Sequence, residues 1–201
     1  AVSSVGDTYT YDTKTAQILM DRVSLDSLNF RSSAIVEDTY FTLSIGSPAY
    51  LFKDQKLVYN EINPAVFYDA LHFWNTKEGI AVGDPTDKCM SIVITRDGGD
   101  TWQKTPCDLL PLALDGEAAF AASDTNISIV GDETWIATGG RSSRILYSSD
   151  KGHSWDVFES PIIQGLETTG TYSIAFYDAL NGFAIGGDYT KPKNHHSNKI
   201  R

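Results

Sequence analysis

The chain has 201 residues, a formal net charge of −10 and 41% hydrophobic residues, enough for one domain with a core of its own. The acidic balance argues against nucleic acid, whose phosphates demand clustered lysine and arginine, and against an anionic membrane surface. No apolar run approaches the roughly 18 residues that cross a bilayer, so no transmembrane segment is expected. The first residue is Ala1 and no cleavable signal sequence is visible, which reads as a processed chain or a fragment.

In chain order, short β-rich runs recur between turn residues. Residues 1–22 read as the outer two strands of a four-stranded unit, turning at Asp12. Residues 28–62 read as a full unit with a turn at Asp54. Residues 66–108 and 117–163 read as two more, with Asn63-Pro64 and the stretch from Pro106 to Pro111 as connectors. Residues 170–201 read as the inner two strands of another unit, followed by a polar tail.

Two turns spell the same motif. Thr95-Arg96-Asp97-Gly98-Gly99-Asp100-Thr101-Trp102 and Ser148-Ser149-Asp150-Lys151-Gly152-His153-Ser154-Trp155 both read Ser/Thr-x-Asp-x-Gly-x-Ser/Thr-Trp. In such a turn the carboxylate of Asp97 or Asp150 accepts from turn N–H groups. Gly99 and Gly152 supply positive φ, and Trp102 and Trp155 pack beneath. Thr95, Thr101, Ser148 and Ser154 bring the flanking hydroxyls. These residues are structural, placed on outer turns. A second repeat pairs the run from Ala70 to Asp84 with that from Ser173 to Asp188. Asp84 and Asp188, each after a glycine, read as turn caps. Four short strands every 40 to 50 residues are what propeller blades show. The expected fold is therefore all-β: a β-propeller of four-stranded antiparallel blades, about four blades' worth of a larger ring. The two partial units at the ends also leave open a closed ring of four.

The Asp-box motifs, together with Leu28-Asn29-Phe30-Arg31, Phe67-Tyr68-Asp69-Ala70, Gly79 to Pro85, Gly116 to Ser123 and Gly186-Gly187-Asp188-Tyr189, resemble a bacterial group of BNR-repeat, sialidase-like and YVTN/WD40-like propellers. That group is related to the photosystem II stability and assembly factors. The resemblance implies an exported ring of about seven blades, and hence a periplasmic, secreted or surface-anchored location.

The innermost strands of a propeller line its channel. Aligned on Ile35, Phe73, Phe120 and Phe176, they set Arg31, Asp69, Gly116 and Tyr172 at one level, with Glu117 one step on. Arg31, Asp69, Glu117 and Tyr172 form a candidate small-ligand site with the residue types of a sialidase. A hydrated channel lined by polar strand ends is the simpler reading of the same four. Only one arginine sits at that level, and a sialidase wants several on its substrate carboxylate, so hydrolysis is disfavoured. His72 reads as a bonded core residue. The adjacent His195 and His196 lack spaced partners, so no metal is expected. No phosphate or dinucleotide fingerprint opens a helix, so no cofactor is expected.

Cys89 and Cys107 each lie nine residues from Gly98, the centre of the first box turn. They read as cross-strand neighbours within reach of a disulfide, with two buried thiols as the alternative. A disulfide fits an oxidising compartment. The functional expectation is a non-catalytic extracytoplasmic scaffold that binds a protein, a small molecule or a glycan. The alternative is a sialidase-like glycoside hydrolase using the channel carboxylates.

Overall fold

The computed structural model describes residues 1–23, 28–120, 124–194 and 199–200; His195 and His196 lie outside these, as does Ser123. A hairpin of β1 (Asp7–Asp12) and β2 (Gln17–Arg22) comes first. The first blade holds β3 (Phe30–Val36), β4 (Thr39–Ser44), β5 (Ala49–Lys53) and β6 (Lys56–Glu61), hydrogen-bonded in that order. The second holds β7 (Tyr68–Phe73), β8 (Gly79–Gly83), β9 (Ser91–Thr95) and β10 (Gln103–Lys104). Two short strands, β11 (Glu117–Ala118) and β14 (Gly139–Gly140), flank the third, which is built from β12 (Ile127–Val130), β13 (Glu133–Ala137), β15 (Arg144–Ser148) and β16 (Asp156–Glu159). The fourth is formed by β17 (Thr169–Phe176), β18 (Gly182–Asp188) and β19 (Lys199–Ile200), and β11 and β14 extend its sheet. Every pairing is antiparallel.

Each blade stacks its faces on its neighbours. Strand side chains alternate between faces. In β8, Ala81 joins Phe41, Leu43, Leu51, Tyr68 and Trp102 between the first and second blades. Ile80 and Val82 join Ile127, Ile136 and Leu146 between the second and third. That two-sided burial explains the uninterrupted apolar run of β8. Trp135 stacks on Phe176 between the third and fourth blades, with ring centroids 4.0 Å apart. The first hairpin is tied to the first blade by the Phe30 N–H to the Ser3 carbonyl (3.1 Å) and by Gln55 to Asp21 (2.7 Å). The structure is a partial ring. Its two end units expose Ile18, Leu19 and Met20 on the hairpin and Phe183 and Ile185 on the fourth blade.

The two boxes fold alike. The Asp97 carboxylate accepts from the Thr101 hydroxyl (2.6 Å), the Thr101 N–H (3.0 Å) and the Thr95 hydroxyl (2.9 Å), and Thr95 Oγ1 accepts from the Gly99 N–H. Asp150, Ser148, Ser154 and Gly152 repeat every one of these bonds. Hydrogen bonds from Thr101 hold the Asp97 carboxyl at about 2. Partial burial raises Asp150, but bonds from Ser154 and Ser148 outweigh it and hold it at about 2 as well. Trp102 is buried against Phe41 and Phe73.

The box position before the aspartate reaches the next blade. Lys53, at that position in the first blade's box-less turn, donates to the Gly98 carbonyl (2.9 Å) and pairs with Asp100. Arg96 donates to the Lys151 carbonyl (2.7 Å), the equivalent site one blade on, and pairs with Glu78. Lys151 closes the loop onto Glu78 at 2.7 Å.

Cys89 and Cys107 form a disulfide with Cα atoms 5.5 Å apart, but not within the hairpin ladder. Gln103 pairs with Ile94 and Lys104 with Val93, one residue off the symmetric register about Gly98. Beyond Thr105 the chain turns into a 3-10 segment at Cys107–Leu109, while Cys89 bridges to Leu112. The bond therefore staples the end of the outer hairpin to the connector after it. Ellman titration of the unfolded protein finds no free thiol before reduction. Reduction destabilises the fold by about 3 kcal/mol, as for other loops of this length, read from urea midpoints.

At Gly99 (φ +82°) an added Cβ meets the Phe41 ring at 2.3 Å, whereas Gly131 (φ +62°) has open space around it. Gly99→Ala costs about 2–4 kcal/mol from strain plus overpacking, and Gly131→Ala about 1–2 kcal/mol from strain alone. Thermal unfolding of the two variants side by side separates the contributions.

Candidate functional site

The inner strands share a defect. In β3 the register slips between Phe30 and Ser32, in β7 between Tyr68 and Ala70, and in β17 between Thr171 and Ser173. The extra residues are Arg31, Asp69 and Tyr172, three of the four candidates. Bulges re-aim a side chain and bend the strand, so these three do occupy one equivalent position per blade.

The third blade departs from this pattern. Its inner hairpin closes at Val130 and Glu133, whereas Phe73–Gly79 and Phe176–Gly182 close the second and fourth. Phe120 therefore does not correspond to Phe73 and Phe176. It packs edge-on against Tyr172 at 4.9 Å instead. Glu117 and Ala118 pair with Gly140 and Gly139, and Gly139 pairs with Gly170 of the fourth blade. The backbones there are too close for side chains: a Cβ on Gly170 would lie 2.3 Å from the Gly139 Cα.

The structure does not gather the four candidates into one site. Arg31 is exposed and donates to Asn29 (3.3 Å). The Tyr172 hydroxyl donates to the Thr168 carbonyl (2.8 Å). Glu117 is buried, and Arg144 grips both of its oxygens at 3.0 and 2.6 Å. The Thr138 hydroxyl and the Leu114 N–H complete its shell. It is a structural ion pair with no oxygen left for a substrate. Asp69 is the opposite case: fully buried, with no donor to either oxygen. Burial, then the charge of Asp84, pushes its carboxyl well above the usual range.

Sequence reasoning missed two participants. Asp84 is not a local turn cap. Its Oδ1 accepts the Ala119 N–H of the next unit (2.7 Å), and burial raises its carboxyl. Asp188, by contrast, does cap its own turn through the Thr190 N–H and hydroxyl. Asp124, shortly before β12, accepts from the Ser32 hydroxyl (2.7 Å) and the Leu71 N–H, and its carbonyl meets His72 Nε2 at 2.9 Å. It ties the inner strands of the first two blades to the third. Only its positive φ of 54°, a conformation asparagine and aspartate tolerate better than most residues, has any counterpart in sequence.

A family model described as photosynthesis system II assembly factor YCF48 matches residues 53–161, more than half of the chain and both boxes. The chain belongs to the YCF48 family. Among solved structures it is similar to YCF48 bound to a D1 peptide, at 25% identity over 59% of this chain and 33% of that one, with a TM-score of 0.40. A mutant of the NanB sialidase from Streptococcus pneumoniae is similar at 13% identity over 86% of this chain and 30% of the other, with a TM-score of 0.50. That likeness extends to the fold alone. This YCF48-family chain thus spans about a third of the length of the YCF48 structure it matches. No curated protein sequence matches it.

The Asp69 environment has a measurable consequence. The folded state holds this proton more tightly than the unfolded chain, whose value is near 3.8. Its stability contribution is therefore complete below that value and is lost as pH rises through the folded-state pKa. Asp69→Asn raises the urea midpoint at pH 7.5, by about 1–3 kcal/mol, and the advantage shrinks as pH is lowered toward 4.5. Equal midpoints at both pH values would contradict the burial of an unpaired acid there.

Proposed function

We propose that this protein is a non-catalytic propeller scaffold that binds a protein segment outside the cytoplasm. The observation that carries the reading is the fate of the candidate acids. Glu117 is consumed by Arg144 and Asp69 is shut away from the surface, while Asp97 and Asp150 serve only their own turns and the family is that of an assembly factor. Rigid stacked blades with variable connections suit recognition rather than turnover. The YCF48 structure was solved with a D1 peptide, which makes an extended peptide the first partner class to try. The Cys89–Cys107 disulfide supports an oxidising compartment.

The test has two arms. A fluorogenic sialoside, 4-methylumbelliferyl N-acetylneuraminic acid, is expected to remain unhydrolysed at high protein concentration. An array of 15-residue peptides is expected to yield saturable binding for a sequence class. Hydrolysis that vanishes in Glu117→Gln would overturn the reading in favour of a glycoside hydrolase.

A further inference from the structure

The inner hairpins of the second and fourth blades share one register. Leu71 pairs with Ala81 as Ile174 pairs with Ala184, Ala70 with Val82 as Ser173 with Ile185, and His72 with Ile80 as Ala175 with Phe183. The two blades therefore compare position by position. Leu71 and Ala81 face the first blade, and Ile174 and Ala184 face the third. The opposite face of the second blade is covered. Ile80 and Val82 are 0% exposed, packed with Ile127, Ile136 and Leu146, and the Trp74 indole N–H donates to the Thr134 hydroxyl (2.7 Å). At the same three positions the fourth blade carries Phe183, Ile185 and Tyr177, which are 66%, 47% and 90% exposed. Apolar patches of this kind mark interaction sites. The repeat itself shows what covers one: the apolar face of another sheet.

Such a face lies at the other end of this chain. In the first hairpin Tyr9 pairs with Met20 and Tyr11 with Ile18, so all four side chains share one face. They are between 38% and 69% exposed. Thr8 and Asp21 pair on the other face, which turns to the first blade, where Gln55 donates to Asp21. Both apolar faces stay open in the single chain, so they do not cover each other.

We propose that a second copy of this chain covers the fourth blade, laying the outer face of its first hairpin over Tyr177, Phe183 and Ile185. The match is in kind as well as in place. Between the third and fourth blades, Trp135 and Phe176 mix with Val130, Ile145 and Ala184. The hairpin likewise offers two aromatic rings with an isoleucine and a methionine. None of these seven side chains on the two open faces is charged. The contact uses a different face on each copy, so it can repeat and close into a ring or run on as a filament. It is separate from the peptide-binding reading above and stands or falls without it.

Sedimentation velocity of the wild-type protein between about 1 and 100 µM shows a mass that climbs past one chain, across the range where micromolar contacts form. The climb comes at lower concentration in about 0.5 M sodium chloride, because salt screens the repulsion between two chains of net charge −10. Ile18→Lys and Phe183→Lys each stay single throughout and keep the melting curve of the dilute wild-type protein, since both positions are exposed. Tyr177→Lys repeats the Phe183→Lys result at a position with still fewer neighbours. Mixed in equal amounts, Ile18→Lys and Phe183→Lys form a pair that grows no further, because each keeps the face that the other has lost. A wild-type protein that remains single at the highest concentration overturns the proposal and leaves both faces to an unlike partner. Association that survives in Ile18→Lys alone overturns it in favour of a contact between two fourth blades. A mixture that stays single while the wild-type protein associates overturns the head-to-tail arrangement.

Discussion

The second blade is apolar on both faces, and that constraint governs the blades around it. Ile80 and Val82 look one way from β8 and Ala81 the other, and each meets a different neighbouring sheet. A sheet of this kind has no side to turn to water, so it is stable only between two others. The order and tilt of the stack are then set at the outer turns. Trp102 lies under its turn against the preceding blade, and Lys53 and Arg96 reach forward to the next turn's carbonyl. The third blade has Ser149 at that position, a side chain too short for the same reach, so the latch does not continue in kind.

How much of this was legible in sequence depends on how local the cause is. The Asp-box turns were readable because their bonds run between residues two and four apart, as in Ser148–Asp150 and Asp150–Ser154. The level shared by Arg31, Asp69 and Tyr172 was also readable, because one bulge recurs in three strands. The third inner strand was misaligned: Phe120 matches Phe73 in type, but the hairpin of that blade closes at Val130 and Glu133. The cysteine pair was found by a symmetry that the hairpin does not obey, since the ladder is offset by one residue. The partner of Glu117 was invisible because Arg144 lies 27 residues away.

The acidic residues separate according to surroundings rather than type. Asp97 and Asp150 are ionised by the donors of their own turns, so the outer edge of the ring gains stability above about pH 4 and loses it as pH falls toward 2. Asp69 works in the opposite sense, because its buried carboxyl is easiest to keep when protonated.

The contrast between Glu117 and Asp69 shows how partners decide the state of a buried acid. Glu117 sits among close-packed glycine backbones and is saturated by Arg144, Thr138 and Leu114, so that corner of the ring is locked. Asp69 stands on a bulge, in a strand that has already given up a ladder position, and no donor among the described residues reaches its oxygens, so burial favours its protonated form. Replacing it with a neutral residue would favour the fold. Asp69 therefore costs the fold stability as pH rises, whereas Glu117 is held by its partners.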